Sequence, residues 1–281
     1  MNYGPKPWQQ TQWDWRAAGN FICGGAGSGL IVFAALSGAS GIGMVSLMLA
    51  GLGLIGLGLL FVWLEIGRPL RAFNVFVNPR TSWMSREAIS ATLLFPAGLA
   101  ALLIAPGFVW LAAALALAFV YCQSRMVHAS KGIPAWREPL TVPLMIVTGL
   151  TEGGGLFWLA AAWHGAGSLL LMVLFGALVL TRALVWRAWR RRLDASAAPR
   201  ALAPIDTAGR ALHLAGTWLP LAAIVLAASA LLGAAAAAAL MATAGLLAAL
   251  AGAWFKFTLI TRGGFNQGFA LTHLPIRGAR R

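Results

Sequence analysis

The chain has 281 residues, of which 60 % are apolar and 10 % charged, and its mean hydropathy is +0.79. Such a composition excludes a soluble globular domain. The net charge of +14 does not point to nucleic acid, because the 21 Lys and Arg residues border long apolar runs and so read as orientation signals.

In chain order the apolar runs predict eight spans, at 19–37, 43–64, 88–105, 107–127, 140–162, 167–186, 213–232 and 234–256. A bilayer core needs about 20 residues per helix, so eight spans use about 160 residues. That leaves little for a second domain, and residues 1–281 read as one transmembrane unit. In lipid the backbone must bond to itself, so the expected fold class is all-α, a polytopic integral membrane protein. Every Lys and Arg can be assigned to alternate connections and to the termini. Short basic loops stay cytoplasmic, so both termini are expected inside. The lipid bilayer is the first partner.

Residues 1–18 hold Trp8, Trp13 and Trp15 and suit the headgroup level. No cleavable signal pattern is seen there, so the first span is expected to persist. Trp63, Trp83, Trp110, Trp136, Trp163, Trp186, Trp189 and Trp254 fall near span ends and read as an aromatic belt. In the first span Gly25 and Gly29 form GxxxG, which favours close helix packing. Between the second and third spans lies a polar insertion at 67–87. Gly67 and Pro69 should end the second helix, and Ser85 or a residue just before it should cap the third, with Glu87 in its first turn. Residues 187–212 read as a mobile basic loop with Pro199 and Pro204, and the uncharged run 214–255 should split near Gly233 into a hairpin.

His128, His164, His213 and His273 all fall at or beyond span ends, so a haem held at membrane depth is not expected. Cys23 and Cys122 form no metal or cluster motif. The seven carboxylates are more informative. Glu152 sits mid-span before Gly153, Gly154 and Gly155. A charge there costs several kcal/mol unless it is paired, hydrated or protonated. It reads either as a proton-relay residue or as a protonated carboxyl bonded within the bundle. Glu65 and Glu87 flank the 67–86 loop and should approach each other, with Arg68, Arg71 and Arg86 near them. A partly desolvated carboxylate of this kind suits proton transfer with a quinol hydroxyl. The bland alternative makes Glu87 a helix N-terminal acid and Glu65 an ion-pair partner.

The stretch Gly67-x-Pro69-x-Arg71-Ala72-Phe73-Asn74, followed by Ser85-x-Glu87, resembles the anchor subunit of dimethyl sulfoxide reductase (DmsC), within the NrfD/PsrC group of molybdoenzyme anchors. Pro134-Ala135-Trp136 and Arg262-Gly263-x-Phe265 echo the same family. The resemblance implies a haem-free subunit of a bacterial cytoplasmic-membrane complex. It exchanges electrons and protons with menaquinone or ubiquinone. A four-cluster iron–sulfur subunit docks on the basic face and a molybdopterin subunit does the substrate chemistry, so clusters and molybdopterin belong to the partners. The family acid of the third helix falls on Glu87, and the family histidine before Gly-x-Pro-x-Arg falls on Glu65. The acid before the closing Arg-Gly is absent, with Lys256 and Thr258 in that region. On this reading Glu87 and Glu65 take protons, while Arg71, Arg86, Arg68 and Asn74 hold the quinone or the carboxylates. Without a metal path through the bilayer, pocket and partner should share the cytoplasmic side. Two rivals remain: a proton-coupled secondary transporter using Glu152, and a redox-silent anchor.

Overall fold

The structure is a computed structural model describing residues 3–66, 69–165, 167–229 and 231–269. Among the described residues, eight helices are long and apolar enough to cross a membrane. The protein is a multi-pass α-helical membrane protein.

Helix α1 (Trp15–Ser37) starts where the Asp14 carboxylate accepts the Arg16 amide at 2.8 Å and stops at Gly38, in the left-handed region at φ 62°. With the span that begins at Thr141, it is one of the two most enclosed spans. Helix α2 (Gly41–Glu65) lies beside it, and Gly27 and Gly51 let the two backbones approach. A 3-10 helix (Pro69–Val77) then leads to α3 (Trp83–Leu103), where the Ser82 hydroxyl accepts the Ser85 amide at 3.3 Å. The cap is therefore Ser82, and α3 begins five residues earlier than the apolar run suggests. Glu87 lies a full turn inside the helix. Helix α4 (Phe108–Ala129) packs on α3 and α1.

The single turn α5 (Pro134–Arg137) buries Trp136, whose indole N–H donates to the Leu259 carbonyl at 3.0 Å. Helix α6 (Thr141–His164) follows as one unbroken helix. Its three glycines do not break it; they admit neighbouring backbones. Gly153 abuts Gly29 and Leu30 of α1, and Gly155 abuts Gly245 of α10 (Ala234–Thr261). The GxxxG expectation for α1 is met, since Gly25 and Gly29 both face Gly149 of α6.

Three expectations need correction. Residues 187–212 are not a loop. Helix α7 (Leu169–Leu193) runs on past Arg182, and α8 (Pro199–His213) continues through a π turn (Leu214–Trp218) into α9 (Leu219–Ala228). Leu193, Ala201, Ile205, Ala208 and Leu212 supply the buried stripe that holds this segment down. The charged residues between those positions masked the helical spacing. Second, Arg182 and Lys256 are not loop cations; both are enclosed inside the bundle. His213, expected at a span end, instead lies within the continuous Pro199–Ala228 helix. Third, Trp136, Trp186 and Trp189 are core residues, whereas Trp63, Trp110, Trp163 and Trp254 remain exposed as a belt would be. The Trp189 indole donates to the Thr141 hydroxyl at 2.9 Å, which explains its tolerance of burial.

The N-terminal segment folds back over the bundle. Gln9 and Phe265 form an isolated antiparallel bridge, and Gly4 and Gln10 amides bond to Gln267 and Gly264 carbonyls. Trp13 stacks on Trp136 at 4.8 Å. The same end carries Arg16, Arg80, Arg137, the Arg190–Arg192 run and Arg262, so basic loops gather at one end of the bundle. His273 and the last arginines lie outside the described residues.

Candidate functional site

Two buried polar centres stand against adjacent faces of α1. The first belongs to a cavity of about 390 Å³ between the end of α2, the 3-10 helix and the start of α3, at the basic end. Its walls are mostly apolar, from Leu59, Val62, Trp63, Val75 and Met84, with Asn74, Ser85 and Glu87 among the polar groups. Ligand pockets span about 300–1,000 Å³ and combine apolar walls with a few polar groups, so size and lining suit an aromatic head with a polar rim.

Glu87 is 4 % exposed. The α1 residue Asn20 donates its side-chain amide to one carboxylate oxygen at 3.4 Å, and the Gln123 amide of α4 also reaches the carboxylate. Gln123 in turn donates to the Asn20 carbonyl at 3.1 Å. Small residues make room for this cage, because a side chain at Gly24 would collide with Gln123 and one at Gly58 would press on Asn20. The Asn20 amide oxygen has no donor. An amide that donates to a carboxylate can, turned over, accept from a carboxylic acid, so the cage accommodates Glu87 in either protonation state.

The remaining site expectations divide. Asn74 lines the cavity with Glu87. Glu65 does not line it; its charged neighbours are Asp14 and Arg16, and the Arg16 guanidinium also caps the Leu64 carbonyl. Glu65 ends α2 at the membrane edge, whereas Glu87 turns inward, so the two carboxylates of one loop do not form a pair. Arg86 spends its guanidinium on the Pro79 and Arg80 carbonyls, at 2.8 and 2.7 Å, and lies over Trp83. It fastens the loop and does not reach into the cavity. Arg68 and the Arg71 side chain lie outside the described residues.

The second centre surrounds Glu152. The Lys256 ammonium of α10 meets its carboxylate at 2.6 Å, and both residues are 1 % exposed. Lys256 donates as well to the Phe21 carbonyl of α1 at 2.9 Å. Arg182 of α7, fully buried, completes the group by donating to the Ala248 and Gly216 carbonyls. The Gly216 carbonyl is available because Pro220, four residues on, has no N–H to offer it. Gly252 leaves the space in which Glu152 and Arg182 face each other. The free carboxylate oxygen of Glu152 and the Nε of Arg182 have no partners. Sequence reasoning found Glu152 and missed its two cations. The available signal was that Arg182 and Lys256 interrupt apolar runs instead of bordering them. Among the described residues, no three His, Cys, Asp or Glu side chains gather as a metal site.

A family model for the DMSO reductase anchor subunit (DmsC) matches residues 17–186, more than half of the chain. The chain belongs to the DMSO reductase anchor subunit family. This agrees with the resemblance carried by the 67–87 motif. The matched stretch holds the whole cavity and Glu152 and Arg182, while Lys256 lies beyond it. No protein with a curated description matches the chain significantly.

Proposed function

We propose that this membrane anchor exchanges electrons and protons between membrane quinone and a docked iron–sulfur subunit, with Glu87 as the proton-exchanging group. The observation that carries this reading is a buried carboxylate in an amide cage, opening on an apolar cavity at the basic end. A quinol releases two electrons and two protons when it is oxidised, and a quinone takes up both when it is reduced. Trp63, Val62 and Met84 would pack its ring, Asn74 and Ser85 would orient its oxygens, and Glu87 would accept or return the hydroxyl proton. Asn20 and Gln123 hold that carboxylate in place through both states.

The same geometry supports docking at the basic end. The cavity lies at the basic end, so a four-cluster iron–sulfur subunit seated there would receive electrons over a short path, with a molybdopterin subunit beyond it. Basic loops favour the cytoplasmic side of a bacterial inner membrane for that end. The transporter alternative rested on a glycine-interrupted helix, and α6 is continuous.

The test is Glu87→Gln in membranes carrying the assembled complex. Quinone-coupled turnover should fall at least 100-fold, the lower end of what a positioned acid–base group contributes, on the order of 10²–10⁴. Glu65→Gln should retain most activity. Unchanged turnover in Glu87→Gln with intact assembly would remove Glu87 from the mechanism, and purified complex that retains no quinone would favour a redox-silent anchor.

A further inference from the structure

We infer that Glu152, Lys256 and Arg182 form a proton-binding site whose charge is coupled to that of Glu87 across α1. The inference deepens the quinone reading and rests on Glu87 being the group that exchanges protons.

The cluster holds two cations and one carboxylate, drawn from α10, α7 and α6. Fully ionised, it leaves one positive charge without a counterion among buried side chains. A merely structural pair would need Lys256 and Glu152 alone. Arg182 adds the unbalanced charge, and the unpartnered Glu152 oxygen and Arg182 Nε mark a hydrogen-bond network that is incomplete. The other buried carboxylate among the described residues is Glu87, against the neighbouring face of α1. One turn of α1 serves both centres. The Asn20 carbonyl takes the Gln123 amide, and the next carbonyl, Phe21, takes the Lys256 ammonium. Gly24 abuts Gln123 and Gly25 abuts Lys256, so no side chain separates the helix from either centre.

The two charges are opposite, and with one helix between them their separation is on the order of a helix diameter, about 10 Å. When Glu87 accepts a proton, an O–H bond forms there and its negative charge disappears. The cluster's positive charge then loses its counterpart, which favours breaking an N–H bond at Lys256 and losing that proton. His213 offers its exit toward the basic end. Its ring lies in the turn before Gly216, and neither ring nitrogen has a partner. Arg187 faces the same ring, and among the described residues Cys23 of α1 also faces the cluster. Around Glu87 the corresponding group is Cys122 of α4.

The experiment uses the full chain in lipid nanodiscs without quinone. Infrared spectra follow the protonated carboxyl band that Glu87→Gln removes, over about pH 5–9, around the range where perturbed carboxylates titrate. Lys256→Met should move the midpoint of that band up by about one pH unit, the size expected for one charge at about 10 Å in an effective dielectric of about 20. Lys256→Arg, which keeps the charge, should leave it in place. Glu152→Gln should move it down. The same midpoint in every folded variant overturns the coupling. Lys256→Met and Glu152→Gln act in opposite directions, so either one alone decides the matter. Quinone binding is titrated separately, so a cavity that takes no quinone would leave the coupling result intact.

Discussion

Removing Glu152 should be worse than removing Lys256, and the two losses should not add. Glu152→Gln leaves two buried cations facing one neutral amide. Breaking a buried ion pair from one side costs about 3–5 kcal/mol, because the uncompensated charge stays behind. Lys256→Met leaves Glu152 opposite Arg182, which are separated only by the space Gly252 provides. What is lost is the bond to Glu152 at 2.6 Å and the bond to the Phe21 carbonyl at 2.9 Å. Bonds to charged groups contribute about 1.5–3 kcal/mol each, and Glu152 keeps the Arg182 guanidinium facing it as a counterion, so the net loss should stay near that of one bond. In the double variant, Lys256→Met removes one of the two cations that Glu152→Gln strands. The double variant should therefore be at least about 1 kcal/mol more stable than Glu152→Gln alone. Lys256→Met thus changes sign, destabilising the native chain and stabilising the Glu152→Gln background. The assay is unfolding of the full chain in mixed micelles, followed by helical circular dichroism. If Lys256→Met destabilises both backgrounds alike, Lys256 and Glu152 are not electrostatically coupled and the charge argument fails.

Gly153→Ala should destabilise by about 1–3 kcal/mol, because its Cβ would fall on the Gly29 and Leu30 backbone and force α1 from α6. Gly53→Ala, facing open space in α2, should be neutral or stabilising by up to about 1 kcal/mol; equal losses at both would refute the close-packing account. Arg16 holds the Asp14 carboxyl below the usual carboxylate range. A group lowered on folding stabilises above its unfolded value, so the contribution is full at neutral pH and fades as pH falls through and below about 4. Asp14→Asn should flatten that acid limb in a thermal-unfolding series, and an unchanged limb would exclude the pair as its source. Asn74→Ala should weaken quinone binding about fivefold, the equivalent of one hydrogen bond near 1 kcal/mol, and leave helix content unchanged. Equal binding would place the quinone oxygens elsewhere in the cavity.

The eight spans, the split at Gly233 and the GxxxG contact were legible because each is a local property of composition or spacing. Glu87 and Asn74 were legible through the 67–87 motif, and the cavity brings them together. The pairing of Glu65 with Glu87 was not, because loop proximity says nothing about which way a side chain turns at a helix end. Residues 187–212 were misread because a stripe as sparse as Ala201, Ile205, Ala208 and Leu212 leaves little contrast against arginines. Arg182 and Lys256 were misplaced because they were grouped with the loop cations, although apolar residues on both sides of each set them within the runs.

The sequence by itself determined that this is a helical membrane protein of a recognisable family, because bilayer thickness and backbone bonding leave apolar runs one outcome. Only the tertiary structure decided which charges meet. Lys256 and Glu152 are 104 positions apart along the chain, and their contact exists because glycines on α1, α6 and α10 let three helices close around them. A small-residue motif says that a helix can be approached closely, but which helices and which charges close on it is set by packing between elements.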